Sequence, residues 1–388
     1  MRVAFYEPPG ARSDPSPFDG NNPADLIEPA LIACGHDVSR IPVRSLGEGS
    51  VSAVDQPTPV DSAEVAWLIS HFRSAHRPPP DIWLSSRVSC HAADPIGPAA
   101  SAALGIPYVL VQPSIPTAGA AAAHDGVGHL RRAIAEADAT MVFSTSQAES
   151  LREIIPDPDD RLVLLPPFID LGRVGSFVHR RAMLRTALSL QHSLRLDLPW
   201  LIAAGPMSTD AHLESFRTVA RATVLAGTLD WQMIVAGAGS RRAEVEELFG
   251  VAPRRLDHHI AVATPEDLSA IIASGDMFLW PFLDDKFSPT VLEAQAAGLS
   301  VVAPRTIPML DVVANGQSGM LTKPNNDASF TNAITFQVRQ PDFRRSYAQR
   351  APQWVSTNFD FNVVAPLVSD AIDRVRDAFR SRQPRTPA

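Results

Sequence analysis

Short apolar runs recur along this chain, separated by longer amphipathic or polar stretches. Residues 2–6, 106–111, 139–144, 201–204, 231–236, 277–280 and 300–303 read as strands buried on both faces, the pattern of a parallel sheet. More polar runs at 37–42, 81–85, 161–165, 258–262 and 319–322 extend the series. Helical periodicity fills the intervals at 24–34, 62–73, 98–104, 128–137, 145–154, 213–225, 327–336, 341–357 and 363–380. A basic helical segment also runs up to Arg195. Thr264 followed by Pro265, Glu266 and Asp267 is a strong helix start, and Thr145 or Ser146 is placed to cap 145–154. The repeated strand–helix–strand order predicts an open α/β sheet in the first half and a second α/β unit opening at Leu201. The order of strands in the first sheet is not readable from these patterns.

The most informative stretch is 275–304, GDMFLWPFLDDKFSPTVLEAQAAGLSVVAP, which reads strand, acidic loop, helix, strand. Ser288 is placed to cap the helix, Pro289 fits its first position, where no intrahelical N–H is lost, and Gly298 stands at its end. Asp285 falls on the loop and Glu293 on the helix. Carboxylates near the carboxyl edges of parallel strands suit a polyhydroxylated ligand, although a solvated turn Asp and an ordinary helical Glu would give the same pattern. The run 231–236 leads into GAGSRRAEVEELFG, where a glycine turn and a helix from near Ser240 offer backbone N–H groups to an anion. Arg241 and Arg242 lie in its first turn, against the dipole preference, and also fit plain surface arginines.

In the first half, the loop over 7–23 contains no G-x-G-x-x-G and reads either as a cover for a ligand or as a surface loop. The loop SRVSCHAAD brings Arg87, Cys90, His91 and Asp94 close together in sequence.

Composition narrows the class. A chain of 388 residues exceeds one ordinary hydrophobic core, so two domains are expected. A hydrophobic fraction of 45% and a charged fraction of 20% fit a soluble globular protein, and a net charge of -8 argues against a nucleic-acid partner. Two cysteines are too few for a disulfide scaffold. With no apolar signal core in MRVAFYEPP, they read as reduced thiols of a cytoplasmic protein. No run reaches the roughly 20 apolar residues of a spanning helix. A peripheral contact at the inner face of the membrane stays open.

From Trp200 to Phe359 the sequence resembles the retaining GT-B glycosyltransferases of the glycosyl transferases group 1 type, family 4, and the resemblance continues more weakly toward the amino terminus. The segment DKFSPTVLEAQAAGLSVVAP carries it most clearly. The resemblance implies two Rossmann-like domains facing a cleft: residues 1–172 on the acceptor side, a linker and helix over 173–198, and a nucleotide-sugar domain over 199–360. A last helix over 361–382 would cross back to the first domain. It implies sugar transfer from a nucleotide sugar to a glycan, lipid-linked or small-molecule acceptor, with no metal ion and no further cofactor. Carried residue by residue, Glu293 would hold the donor ribose and Asp285 the hydroxyls of the donor sugar. The backbone of Phe287, Ser288, Pro289 and Thr290 would lie beside the sugar and diphosphate. Gly205 would close the first strand of the donor domain, and Gly237 and Gly239 would belong to the loop after the next. Arg87 occupies the position at which the family presents a histidine to the reacting sugar, with His91 four residues on.

The departures from the family are specific. An arginine and a lysine usually follow the Gly205 position and hold the diphosphate; here the register offers Pro206 or Ser208, and Ala211 or His212. Losing two charges at a departing diphosphate weakens transition-state stabilisation, and Arg241, Arg242 or Lys286 are the candidates to replace them. Ser288 stands where glycine is usual. A catalytically weakened GT-B protein acting as a binding or assembly module is therefore the alternative, with an epimerase or a phosphorylase as further rivals on the same fold.

Overall fold

The computed structural model describes residues 1–8, 18, 22–41, 66–70, 72, 78–90, 92, 94, 96–114, 126–225, 229–249, 257–261, 264–283 and 288–382. The chain divides into two units: Met1–Asp14 with Ala24–Leu165 and Ala365–Ala388, and Pro15–Pro23 with Pro166–Val364. Among the described residues each unit holds a six-stranded sheet, parallel throughout. Among those residues no helix is long and apolar enough to cross a membrane.

In the first unit the strands are β1 (Arg2–Tyr6), β2 (Asp37–Arg40), β3 (Ile82–Ser86), β4 (Tyr108–Val111), β5 (Ala139–Val142) and β6 (Leu162–Leu164), in the order β2-β1-β3-β4-β5-β6. The order reverses at β1/β3, leaving a crevice at the carboxyl ends of those two strands. The helix Thr145–Arg152 is capped by Ser144, not by Thr145 or Ser146. A cap must be the extended residue just before the first helical one. The end of β5 supplies it, with Ser144 at φ -148° and its Oγ accepting from the Gln147 N–H at 3.2 Å. Beneath β3 and β4 lies a buried polar knot. The Asp94 carboxylate accepts from Tyr108 Oη at 2.8 Å, from the N–H groups of Ile96 and Gly97 at 3.1 and 2.7 Å, and from Ser85 Oγ. Burial pushes the Asp94 carboxyl above its ordinary range despite these hydrogen bonds. The long helix Phe361–Arg382 begins in the second unit, where Phe361 N–H bonds Ile169 O at 3.0 Å, and from Ala365 onward it belongs to the first. There Arg380 reaches Asp81 at 3.2 Å and Ser369 meets His36 at 2.8 Å.

In the second unit the strands are β7 (Trp200–Pro206), β8 (Gln232–Ala238), β9 (Asp257–Ala261), β10 (Met277–Leu279), β11 (Ser300–Pro304) and β12 (Gly319–Thr322), in the order β12-β11-β10-β7-β8-β9. This is a doubly wound, Rossmann-like sheet whose winding reverses between β7 and β10. The basic segment after Pro166 forms two helices, Leu171–Val178 and Arg181–His192. Their arginines serve the fold of this unit. Arg185 lies over the Trp200 ring at 4.1 Å and donates to Ser274 O at 2.7 Å and Asp276 at 2.9 Å. Arg181 meets the same carboxylate at 3.2 Å.

Candidate functional site

The switch point of the second sheet is built from three chain segments. The first two are the ends of β7 and β8, where Gly205 pairs with Gly237 and Pro206 with Ala238. Beyond them the backbones stay joined, Met207 N–H to Ala238 O and Arg241 N–H to Met207 O, both at 2.8 Å. No side chain fits between. A Cβ on Gly239 would stand 2.3 Å from Met207 O, and its φ of 145° lies in the region that favours glycine. The third segment leaves β10 through Pro281 and Phe282. Phe282 is 2% exposed and meets the rings of Phe216 at 5.6 Å and His212 at 5.8 Å edge-on. It lies over Gly205 so closely that a Cβ there would be 2.2 Å from the ring. Sequence patterns pointed to the glycine but not to the phenylalanine that requires it.

The helix Pro289–Ala296 follows. Ser288 occupies its N-cap position in extended conformation, yet its side chain makes no capping hydrogen bond; Pro289 takes the first helical position as expected. Gly298 adopts φ 78° just past the end. Thr290 and Glu293 are spaced to share one helical face, and they are 1% and 6% exposed. Glu293 Oε2 accepts from Ser269 Oγ at 3.3 Å. A carboxylate this buried is costly unless hydrogen-bonded, which sets Glu293 apart from the exposed glutamates of the unit.

The basic residues near the β8 turn are engaged with carboxylates. Arg241 binds Asp210 at 2.6 Å and Glu244 at 3.0 Å, and Arg242 binds Glu246 at 2.7 Å. The Arg241–Asp210 pair ties the turn after β8 to the first turn of the helix Asp210–Leu225. On that helix His212 Nδ1 accepts from the Ser208 N–H at 3.3 Å.

Beside these segments a cleft of about 720 Å³ opens at the carboxyl ends of β10, β11 and β12, with Ala211, His212, Phe282, Arg221, Lys323 and Asp327 among its lining residues. Its volume lies within the range of small-molecule sites. Arg221 is held between Asp327 at 2.8 Å and Glu214 at 2.6 Å, and these hydrogen bonds push its guanidinium pKa up. Lys323, exposed on the loop after β12, has no carboxylate partner among the described residues. No motif marked it in the sequence.

Gly205, His212, Gly237, Gly239 and Arg241 thus gather at the ends of β7 and β8, and Ser288, Pro289, Thr290 and Glu293 stand on the helix that follows the neighbouring strand β10. Arg87 belongs to the first unit, at the carboxyl end of β3. His91, Asp285, Lys286 and Phe287 lie outside the described residues.

Comparison with known proteins bears on the same region. Residues 199–339 match the family described as Glycosyl transferases group 1. The chain is 30% identical over 122 residues to a D-inositol 3-phosphate glycosyltransferase of Corynebacterium urealyticum, covering 30% of this chain and 28% of that protein. It is 23% identical over 235 residues to the protein of the same name from Nocardiopsis dassonvillei, covering 58% of this chain and 53% of that one. The matches therefore span about half or less of these relatives' lengths. Among solved structures, HepE from Anabaena, determined in complex with UDP-glucose, superposes with a TM-score of 0.68 at 13% identity, over 96% of this chain and 100% of that one. The chain has the GT-B fold, and residues 199–339 of its second unit are similar to the glycosyl transferases group 1 family.

Proposed function

We propose that this chain transfers a sugar from a nucleotide-sugar donor, held in the second unit, to a hydroxyl of an acceptor. The observation that carries the reading is the switch point. There two strand ends floored by glycine meet a buried helix that presents Thr290 and Glu293. In this reading the Glu293 carboxylate accepts hydrogen bonds from the donor ribose, and Asp285 serves the donor sugar. The backbone turn 237–240 and the start of the helix Pro289–Ala296 lie along the diphosphate. Retention of configuration, independence of a metal ion and a sugar-containing or lipid-linked acceptor are carried over from the family resemblance.

The departing diphosphate still needs positive charge. Arg241 and Arg242, expected as replacements for the missing basic pair, are already engaged by Asp210, Glu244 and Glu246. The full chain contains only two lysines, Lys286 and Lys323. One falls between β10 and the helix Pro289–Ala296; the other lines the cleft that Ala211 also lines. Lys323 is the best-placed described residue to supply that charge.

Calorimetry against UDP-, GDP-, ADP- and TDP-sugars tests the reading. One nucleotide sugar binds, and Lys323→Ala weakens it about tenfold, the loss expected for one charge-assisted contact. Ala211→Lys in the Lys323→Ala background restores part of the affinity. Absence of binding to every donor would favour the second reading, a GT-B binding module, which the engaged arginines and the neutral residues at 206 and 211 support.

A further inference from the structure

The cleft beside the second switch point reaches the ends of β11 and β12, where Pro304 and Thr322 are register partners and both line it. One residue past them stand Arg305 and Lys323, side by side on neighbouring strand ends. Their backbones are held. Arg305 N–H donates to Thr322 O at 2.8 Å, and Thr306 N–H reaches back to Pro304 O at 2.9 Å, a tight three-residue turn with Arg305 at its apex. Lys323 N–H donates to Ser329 Oγ at 3.0 Å, which ties it to the first turn of the helix Asp327–Arg339.

Their side chains are uncommitted. Both residues are exposed, and neither makes an ion pair among the described residues. The carboxylates that line the cleft are matched elsewhere: Glu214 binds Arg217 and Arg221, and Asp327 binds Arg221. The sheet order sets these two cations on one side of β10 and the turn 237–240, which follows β8, on the other. The ends of β11 and β7 are two strand spacings apart, about 10 Å, a gap that extended arginine and lysine side chains largely span. A diphosphate lying across the end of β10 would meet the backbone turn with one phosphate and the two cations with the other.

We propose that Arg305 and Lys323 act as a pair that grips the β-phosphate of a nucleoside diphosphate, free or as the leaving group of the donor. A guanidinium meets two phosphate oxygens at once through its planar fork, and the ammonium beside it adds a contact without fixed geometry. When the bond from the sugar carbon to the bridging oxygen breaks, its electron pair passes to that oxygen of the β-phosphate. Two positive charges at this phosphate stabilise the charge that it gains. The ligand class rests on the glycosyltransferase reading; the roles of Arg305 and of the β-phosphate do not follow from it.

Titration calorimetry on the full chain tests the pair with the diphosphates and monophosphates of uridine, guanosine, adenosine and thymidine. One diphosphate binds the parent. Arg305→Ala weakens that diphosphate about tenfold, and the monophosphate of the same base by less than about twofold. Arg305→Lys keeps the charge and recovers part of the loss. Arg305→Ala combined with Lys323→Ala brings the diphosphate down to the affinity of the monophosphate. The thermal midpoint of Arg305→Ala stays at the parent value, because the exposed side chain has no ion pair to lose. The proposal is overturned if Arg305→Ala binds the diphosphate like the parent, or if it weakens both nucleotides equally. Either result leaves the transferase reading standing, since the parent still binds a nucleoside diphosphate. A parent that binds none of the diphosphates sinks both.

Discussion

Glu293→Gln separates a ligand-binding carboxylate from a structural one. The substitution keeps size and one acceptor, so the Ser269 hydroxyl 3.3 Å away retains a partner. It removes the charge and one acceptor oxygen. Hydrogen bonds to a charged group contribute about 1.5–3 kcal/mol each, so weakening two ribose contacts should cost roughly 2–3 kcal/mol of donor affinity. That is a rise in Kd of about 30- to 150-fold. Stability should move the other way. A carboxylate 6% exposed carries a desolvation cost that an amide largely escapes, so the variant should be as stable as the parent or slightly more so. For a unit of this size 1 kcal/mol corresponds to about 2–4 °C in Tm. Titration calorimetry with the best nucleotide sugar, paired with calorimetric melting, reads both. A Tm lower by several degrees with donor affinity within about twofold of the parent would show Glu293 to be a structural residue, and the argument from burial would fail.

Two further substitutions probe the scaffold. Gly239→Ala puts a Cβ 2.3 Å from Met207 O at a φ of 145°, and should destabilise the second unit by about 1–3 kcal/mol in a urea melt; an unchanged midpoint would mean that the turn yields freely. Asp94→Asn tests the buried knot through pH. Burial raises the Asp94 pKa in the folded chain, so above the ordinary value of 3.8 the folded state binds more proton than the unfolded state. This group's contribution to stability therefore falls as pH rises through that window and levels off above the folded pKa. The parent should lose stability relative to Asp94→Asn as pH rises above about 4, and a parent that instead gains stability relative to the variant with rising pH would refute the assignment.

The sequence was most legible where a residue's role depends on its near neighbours. Fully apolar runs identified the central strands, and the Thr264–Asp267 box marked the start of the helix Pro265–Ser274 as expected. Pro289 and Gly298 bounded their helix for the same reason. Ser288 shows the limit: the right residue type at the right place, with a side chain that does not cap. Strand order was hidden because parallel neighbours are joined through helices, and no local pattern tells β10 to pair with β7. The engagement of Arg241 was hidden likewise, since Asp210 lies in the first turn of the preceding helix, Asp210–Leu225. The strand-end positions of the glycines and the helical position of Glu293 were readable, while Phe282 and Lys323 acquired meaning only once the strand ends were brought together.

The distribution of positive charge explains why the site looks weakened in sequence. In the second unit arginine is largely committed to the scaffold: Arg181 and Arg185 hold Asp276, Arg221 bridges Glu214 and Asp327, Arg241 binds Asp210 and Glu244, and Arg242 binds Glu246. A guanidinium is well suited to that work, because its planar fork holds a carboxylate in fixed geometry. A leaving diphosphate moves and gains charge as it departs. A compact ammonium on a flexible stem can follow it without breaking a pair already made. In a chain that otherwise uses arginine for its basic side chains, the two lysines follow strands β10 and β12 in the sequence. On this argument Lys323 supplies the positive charge missing near Gly205, and Lys323→Arg should keep charge in the cleft yet bind the donor more weakly than the parent in calorimetry, parent-like affinity refuting the argument.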